Sequence, residues 1–272
     1  MGLEVAGTAR ALGKAVQVLE SAPRLLQRSV SPELAAHVLA THQAAGTQVT
    51  LGAQVGPATV VAGRVTALQV NGQAVPVDEL VLGIGGTPDT ALAQAAGLAC
   101  QDGVLVDAQM RSSVPGILAI GDCARFAAQG CGWAPAGSAT LRLESVQNAN
   151  DQAKTAAATL LADADQPSAV PPYAALPWFW SEQGAMRLQM AGLMPVAAQP
   201  DGTLAPLSTR HRRPGANDQS FSVFHYLGDR LVCAESVNAP MDHMMAKKLL
   251  EAGKHPSPAQ LTDPAVALKT LV

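Results

Sequence analysis

The chain lacks the features that mark a membrane-spanning, secreted or nucleic-acid-binding protein. No run approaches the roughly 18–20 uncharged apolar residues that a membrane span requires. Residues 1–15 lack the basic start and apolar stretch of a signal peptide. The formal net charge is −3, which argues against a general nucleic-acid binder. We therefore expect neither a membrane nor a nucleic acid as a partner.

Charged residues and cysteines are also scarce. Charged residues make up 14% of the 272 residues, whereas 48% are hydrophobic, so the chain has material for a sizeable core and roughly two domains. None of the four cysteines forms a CxxC pair, and their spacings match no zinc site; they are Cys100, Cys123, Cys131 and Cys233. We expect four free thiols in a reducing cytoplasm, no metal site and no dithiol mechanism in this stretch.

The opening of the chain predicts the second half of a βαβ nucleotide-binding unit. Residues 3–12 have the pattern of a helix closed by a glycine, and residues 15–20 (AVQVLE) that of a strand ending in Glu20. An acid at this strand end accepts hydrogen bonds from ribose hydroxyls and repels a 2′-phosphate, which favours NADH. Gly2 is a candidate for the last glycine of the phosphate loop, and Glu4 lies in the helix's first turn. The alternatives are a solvated strand end for Glu20 and a simple partner of the helix dipole for Glu4.

Further elements alternate along the chain. Residues 31–45 have the cap and proline of a helix start, 47–52 read as a strand, and 58–77 as hairpin strands around Asn71-Gly72. Later strands are predicted at 79–85, which is apolar, and at 103–107 and 117–121. A helix is predicted at 145–161, with one face formed by Val146, Ala149, Ala153, Ala156 and Leu160. A polar, proline-rich linker at 163–172 precedes two predicted antiparallel strands, FSVFHYL and RLVCAESV, and a helix at about 241–252.

The segment VPGILAIGDCARF (114–126) carries the strongest chemical signal. A buried strand is predicted to end in Gly121-Asp122. Glycine permits close approach of the backbone to a ligand, and Asp122 would emerge at the strand's carboxyl end, where α/β sheets bind ligands. A carboxylate there can hold a polyol hydroxyl, although composition alone fits a strand-end turn equally well.

Four motifs together resemble a known family. GILAIGDCA resembles the second flavin-binding motif of the FAD-dependent pyridine nucleotide-disulfide oxidoreductase superfamily. ELVLGIGGTPDTALAQAAGL (79–98) resembles the segment in which the chain leaves the NAD domain. RLESVQNANDQAKTAA (142–157) and LPWFWSEQGAMRLQMAGL (176–193) narrow the resemblance to ferredoxin reductases of oxygenase systems. It extends from Gly2 to about Leu250.

The resemblance implies an α/β fold class with two interleaved Rossmann-like nucleotide-binding domains, both incomplete here, and a C-terminal α+β reductase domain. Residues 1–86 would form an NAD-binding domain without its first strand, 87–165 the remaining part of the FAD domain, and 173–272 the reductase domain. The first FAD-binding segment is not in the printed chain, so the resemblance implies an N-terminally truncated reductase.

The resemblance also assigns roles to residues. Asp122 would bind the ribityl chain of FAD. The helix beginning at ESVQ would direct the backbone N–H of Val146 or Gln147 to the pyrimidine edge of the flavin and stabilise its reduced form. Trp178 and Trp180 would lie beside the isoalloxazine on the side of the iron–sulfur partner. The remaining cofactor-binding assignments are Glu144, Ser145, Gly83 and Gly85. The alternative role of Glu144 and Ser145 is helix capping, and that of the tryptophans is core packing. No catalytic residue is assigned.

Two features depart from the family pattern. Residues 128–140 (AQGCGWAPAGSAT) form an Ala/Gly-rich stretch that puts the loop geometry near the flavin in doubt, and the C-terminal region lacks the HP-and-Glu base signature of disulfide reductases. A basic cluster, Arg210 to Arg213, is predicted to lie in a Pro/Gly-bounded loop. The cluster is a candidate docking patch for an acidic ferredoxin or, alternatively, a solvated surface.

Three functions follow from these expectations. The first is a cytoplasmic flavoprotein that takes hydride from NADH onto FAD and passes single electrons to a ferredoxin or rubredoxin. The second is a truncated, catalytically silent fragment of such a reductase. The third is a relative with another acceptor, such as an NADH oxidase or an apoptosis-inducing-factor-like oxidoreductase.

Overall fold

The structure is a computed structural model that describes residues 1–135, 137–162, 170–198 and 204–272. Part of the predicted linker, residues 163–169, lies outside the described residues. In chain order the helices and strands are α1 Gly2–Ala11, β1 Gln17–Glu20, α2 Pro32–Ala44, β2 Gln48–Leu51, β3 Val55–Val61, β4 Arg64–Val70, β5 Gln73–Pro76, α3 Ala91–Ala95, β6 Val104–Val106, β7 Ala124–Ala127, β8 Thr140–Leu141, α4 Val146–Leu161, β9 Trp178–Gln183, β10 Met186–Gly192, β11 Val196–Ala198, β12 Leu204–Pro206, β13 Thr209–Pro214, β14 Phe221–Leu227, β15 Arg230–Val237, α5 Pro240–Glu251 and α6 Pro258–Thr262.

The chain divides into two compact units. The first comprises residues 1–85, 181–188 and 194–209, and the second comprises residues 86–180, 189–193 and 210–272. Both contain helices and strands, which confirms the mixed α/β class. None of the helices in the described ranges has the length and apolar character needed to cross a bilayer.

The first unit contains a parallel strand pair and an antiparallel meander. β1 pairs in parallel with β2, and β3, β4 and β5 form a three-stranded antiparallel sheet. Ser31 caps α2 by accepting a hydrogen bond from Leu34 N at 3.2 Å. The turn between β4 and β5 places Asn71 and Gly72 at φ of 51° and 80°, the left-handed pair that a tight hairpin requires. These predicted elements are confirmed.

The tip of the β9–β10 hairpin belongs to this first unit and packs closely on its helices. A Cβ at Gly7 would come within 2.6 Å of Gly184 N, so only glycine fits on that face of α1. Buried His42 and Gln183 join α2 to the hairpin through an Nε2–Oε1 hydrogen bond of 2.9 Å. The hairpin therefore extends the core of the first unit.

The second unit contains a small mixed sheet against α4 and part of a larger antiparallel sheet. β6 pairs in parallel with β7, and β7 pairs antiparallel with β8. The large sheet has the order β13-β14-β15-β10-β9. Phe224, Leu249 and Leu261 are fully buried between this sheet and the C-terminal helices. The predicted strands 221–227 and 230–237 are confirmed with their antiparallel pairing.

Two predicted strands are wrong. Residues 79–85 form no strand, and Val81, Leu82 and Ile84 are 62%, 71% and 86% exposed. Residues 117–120 are irregular apart from one isolated bridge at Leu118, and Gly121 begins a 3-10 turn. An apolar run becomes a strand only where a neighbouring strand binds its backbone groups, and among the described residues no strand pairs with either segment.

Candidate functional site

A tight turn in the second unit presents Asp122. Gly121, Asp122 and Cys123 form a 3-10 turn immediately before β7, so Asp122 does not follow a regular strand as predicted. Gly121 has a φ of 72°, which a residue with a side chain rarely adopts. The carboxylate of Asp122 is exposed. It is therefore available to a ligand at the surface of the second unit.

Arg142 supports this turn from the neighbouring chain segment. Its Nη1 donates to the backbone oxygen of Asp122 at 3.0 Å and to Glu144 Oε1 at 2.6 Å, and its Nε lies 3.3 Å from Asp102 Oδ2. Burial opposes the charged guanidinium, but the bonds to Glu144 and Asp102 raise the pKa of Arg142 above its ordinary value. Glu144, predicted to bind cofactor, is thus already paired with a half-buried cation.

The amino terminus of α4 is capped and lies open on one side. Ser145 accepts a hydrogen bond from Asn148 N at 3.1 Å, which confirms the capping interpretation for Ser145. Val146, the first helical residue, is 63% exposed. The first N–H groups of a helix have no intrahelical acceptor, and the helix dipole makes this end favourable for negative charge.

Gln147 connects α4 to the tryptophan strand. Its Nε2 donates to Asp151 Oδ2 at 2.6 Å, and its Oε1 accepts from Trp178 N at 3.2 Å. Trp178 stacks on Trp180, with ring centroids 5.5 Å apart, and its ring centroid lies 6.0 Å from that of His243. Trp180 is 41% exposed, so the stack leads from the helix terminus to the surface.

Gln152 and Arg142 contact the turn that carries Asp122, and the sequence interpretation did not include them. Gln152 is fully buried, and its Oε1 accepts the N–H of Gly121 at 2.7 Å. The predicted apolar face of α4 is confirmed only in part: Ala156 is buried, whereas Val146 and Leu160 are exposed. The buried residues are Gln147, Asn148, Gln152 and Ala156. The signal was present as polar residues four apart in QNANDQ, at helical spacing.

Among the residues predicted to bind nucleotide in the first unit, Gly83 lies close to Gly2, and Glu20 lies at the end of β1. A Cβ at Gly83 would come 3.1 Å from Gly2 Cα, and Gly85 approaches the guanidinium of Arg28. Glu20 ends β1 as predicted and accepts the N–H of Ala22 at 2.9 Å through Oε1.

Glu4 in α1 accepts a hydrogen bond from Ser181 Oγ at 2.7 Å. Partial burial acts to raise the pKa of Glu4. The hydrogen bond from Ser181 and the nearby amino group of Met1 outweigh this effect and lower the pKa below its ordinary value.

The basic cluster does not lie in a loop, because Arg210 to Arg213 belong to β13 at the edge of the large sheet. Arg213 is buried and donates to the backbone oxygens of Leu261, Asp263 and Val266. Arg212 lies over the ring of Phe221 at 4.1 Å. Arg210 and Arg212 are the exposed arginines of the cluster.

Comparison with known proteins gives two family matches in succession. Residues 1–153 match the pyridine nucleotide-disulphide oxidoreductase family, and residues 178–272 match the reductase C-terminal family. The first match covers more than half of the chain and includes the turn that presents Asp122 and the start of α4.

Individual relatives are similar over the whole chain. The rhodocoxin reductase of Rhodococcus erythropolis is 36% identical over 100% of this chain and 59% of its own length. The putidaredoxin reductase of Pseudomonas putida is 34% identical over 100% of this chain and 60% of its own length. The chain thus spans about 60% of the length of the curated relatives it matches.

Solved structures agree in fold. The ferredoxin reductase for the CYP199A2 system of Rhodopseudomonas palustris has 38% identity and a TM-score of 0.85, covering 98% of this chain and 61% of that one. The reductase in a covalent putidaredoxin reductase–putidaredoxin complex has 33% identity and the same TM-score, covering 99% of this chain and 60% of that one.

Proposed function

We propose, from the premise that this chain belongs to the pyridine nucleotide-disulphide oxidoreductase family, that it transfers electrons from NADH through FAD to a ferredoxin or rubredoxin serving an oxygenase. The relatives' names support the reaction class, since they include ferredoxin reductase components of dioxygenase systems. The structural observation that carries the proposal is the exposed carboxylate of Asp122, fixed at a glycine turn beside the amino terminus of α4.

The residues of the second unit fit the flavin half of FAD. The exposed Asp122 carboxylate can accept hydrogen bonds from polyol hydroxyls. At Gly121 a Cβ would already lie 3.4 Å from Ala149 Cβ, so the turn packs directly on α4. The amino terminus of α4 favours an anionic group. The flavin half of FAD fits these two features, because it has a polyol chain and a ring system that gains negative charge on reduction.

The first unit supports NADH as the reductant. Glu20 lies at the carboxyl end of a parallel strand, where dinucleotides place their ribose. One of its oxygens accepts the N–H of Ala22, which fixes the carboxylate and leaves the second oxygen for a hydroxyl. A negative charge at this point opposes a 2′-phosphate. Gly2, Glu4, Gly83 and Gly85 are proposed as further residues of the NAD site.

Bound FAD would supply the link between two-electron and one-electron chemistry. The chain's own residues bind and orient: Asp122 holds hydroxyls, and the N–H groups of Val146 and Gln147 stabilise negative charge. Trp178 and Trp180 exclude water and define the face toward the acceptor. No side chain of the chain has to act as an acid or base in this scheme.

The domain assignment follows the same proposal. Residues 1–86 would bind NAD, 87–165 would contribute to the FAD domain, and 173–272 would form the acceptor-facing reductase domain. The four free cysteines of the structure support a reducing, cytoplasmic location.

FAD binding by the purified chain tests the proposal. We expect the wild-type chain to take up FAD with the absorbance of a bound flavin and to catalyse NADH-dependent dye reduction. Asp122→Asn should weaken FAD binding about tenfold to a hundredfold, because hydrogen bonds to a charged group contribute 1.5–3 kcal/mol. Asp229→Asn, which neutralises an exposed carboxylate in the β14–β15 turn, is the matched control. A chain that stays colourless and reduces no dye would contradict the proposal for this chain and favour the silent-fragment hypothesis.

A further inference from the structure

Gln152 occupies an unusual position for a polar side chain. It lies in the interior of α4, is fully buried, and makes its hydrogen bond to the backbone of Gly121, 31 positions away in the sequence. Because the N–H of Gly121 is a donor, the atom facing it at 2.7 Å must be the carbonyl oxygen of the glutamine. The orientation of the carboxamide is therefore determined by its partner.

The other end of the same carboxamide has no acceptor. Gln152 Nε2 is buried and makes no hydrogen bond among the described residues. Buried donors are nearly always paired, and leaving one unpaired destabilises the folded state. A methionine of similar length would fill the same space without an unpaired donor. Packing therefore does not account for glutamine at this position, whereas the bond to Gly121 does.

The bond acts on the Ile120–Gly121 peptide, one peptide before the one that leads into Asp122. Gly121 has a φ of 72°, and Asp122 follows it in the same 3-10 turn. Arg142 holds the turn from the other side through the backbone oxygen of Asp122 at 3.0 Å. Gln152 thus anchors the N–H of Gly121, the residue before Asp122, and Arg142 anchors the backbone carbonyl of Asp122 itself.

We infer that Gln152 is a positioning residue for FAD: its carbonyl oxygen fixes the Gly121 amide so that Asp122 is presented to the hydroxyls of the flavin's polyol chain. This inference rests on the proposed function. Gln152 acts through Gly121 and Asp122 and need not touch the cofactor itself. The unpaired amide nitrogen is retained because the oxygen at the other end of the carboxamide is required.

The experiment compares FAD affinity with the stability of the FAD-free chain. Gln152→Met removes the acceptor and also the unpaired donor, so we expect FAD to bind about tenfold more weakly. The thermal midpoint of the FAD-free chain should change little. Tyr173→Phe is the matched control, because it removes a buried 2.9 Å hydrogen bond to Asn148 on the same helix. This control should lower the thermal midpoint and leave FAD affinity unchanged.

Two further variants separate positioning from a purely structural role. Gln152→Glu keeps an oxygen acceptor for Gly121 and should bind FAD more tightly than Gln152→Met. In a double-mutant cycle, Asp122→Asn combined with Gln152→Met should bind FAD no more weakly than Asp122→Asn alone. Both substitutions remove the same interaction, the one between the Asp122 carboxylate and FAD.

Each outcome decides the inference. Unchanged FAD affinity in Gln152→Met, equal losses in both Gln152 variants, or additive losses with Asp122→Asn would overturn it while the proposed function stands. A wild-type chain that binds no FAD overturns the proposed function, and the inference with it. The inference and the proposed function are both supported if Gln152→Met weakens FAD binding, Gln152→Glu restores part of the affinity, and the loss in Gln152→Met is not additive with that in Asp122→Asn.

Discussion

Replacing Arg213 by glutamine should destabilise the fold, because this arginine connects the edge strand β13 to residues 261–266. Its guanidinium donates to Leu261 O at 3.0 Å, Asp263 O at 2.6 Å and Val266 O at 3.0 Å. Its Nε lies 3.5 Å from Asp242 Oδ2. The whole residue is only 8% exposed, so water cannot replace these partners without local opening.

The expected loss follows from these contacts. Each hydrogen bond to a charged group contributes a net 1.5–3 kcal/mol. Breaking a buried ion pair by removing one partner costs about 3–5 kcal/mol. Because glutamine can keep one of the three carbonyl contacts, we expect Arg213→Gln to lower the free energy of unfolding by about 3–5 kcal/mol. At 2–4 °C per kcal/mol for a chain of this size, the thermal midpoint should fall by roughly 6–20 °C.

The loss should also depend on pH through Asp242. Burial raises the pKa of Asp242 above its ordinary value, while Arg213 and the hydrogen bond from Ser222 oppose that rise. A folded-state pKa above the unfolded value means that the folded form binds the proton more tightly. Stability therefore falls as the pH rises through the folded pKa and is recovered below the unfolded pKa. Without Arg213 the pKa of Asp242 rises further, so Arg213→Gln should be most destabilising near pH 7 and less so near pH 4.

Urea unfolding followed by tryptophan fluorescence at both pH values measures the effect. Limited proteolysis should cleave residues 258–272 of the variant faster than those of the wild-type chain. Arg210→Gln removes an exposed arginine from the same strand and should stay within about 0.5 kcal/mol of wild type. A loss below about 1 kcal/mol in Arg213→Gln, or a larger loss at pH 4 than at pH 7, would refute the reasoning.

Two further predictions concern the second unit. Arg142→Gln should weaken FAD binding about tenfold, since it releases the backbone oxygen of Asp122; unchanged affinity by flavin fluorescence titration would contradict this. Exposed Cys123 should react with a thiol reagent in the native chain, whereas Cys131 and Cys233 should react only after unfolding, because burial raises the pKa of both thiols. Cys123→Ser should abolish the fast reaction, and fast labelling that persists in this variant would contradict the assignment.

Elements with a local chemical cause could be predicted from the sequence. Ser31 followed by Pro32 predicted the start of α2, and Asn71-Gly72 predicted the β4–β5 turn, because each depends on the conformational preference of its own residues. The segments 79–85 and 117–121 could not be predicted in the same way. Their apolar residues fit a strand, but whether a strand forms depends on a neighbour that local sequence does not contain.

In the candidate site, too, features with a local cause could be predicted and features with distant partners could not. The sequence indicated Asp122 and Ser145 as candidates because a glycine-acid turn and a helix cap are local motifs. Gln152 and Arg142 were missed because their roles arise from partners 31 and 20 positions away. The buried residues of α4 are Gln147, Asn148 and Gln152 beside Ala156, so apolar periodicity identifies only Ala156 among them. Long-range polar contacts of this kind carry no signature in hydrophobic patterning.

The strand β13 shows why four adjacent basic residues need not share one role. In a strand, neighbouring side chains point to opposite faces, and Arg213 is buried while Arg212 is exposed. His211, on the inward side, contacts the buried ring of Tyr226 edge-on at 5.6 Å. The charge available to an acidic partner is therefore confined to Arg210 and Arg212, and Arg212 is also held over Phe221. Neutralising the whole cluster would mix a docking effect with the loss of a buried anchor, so only substitutions on the outer face can test docking.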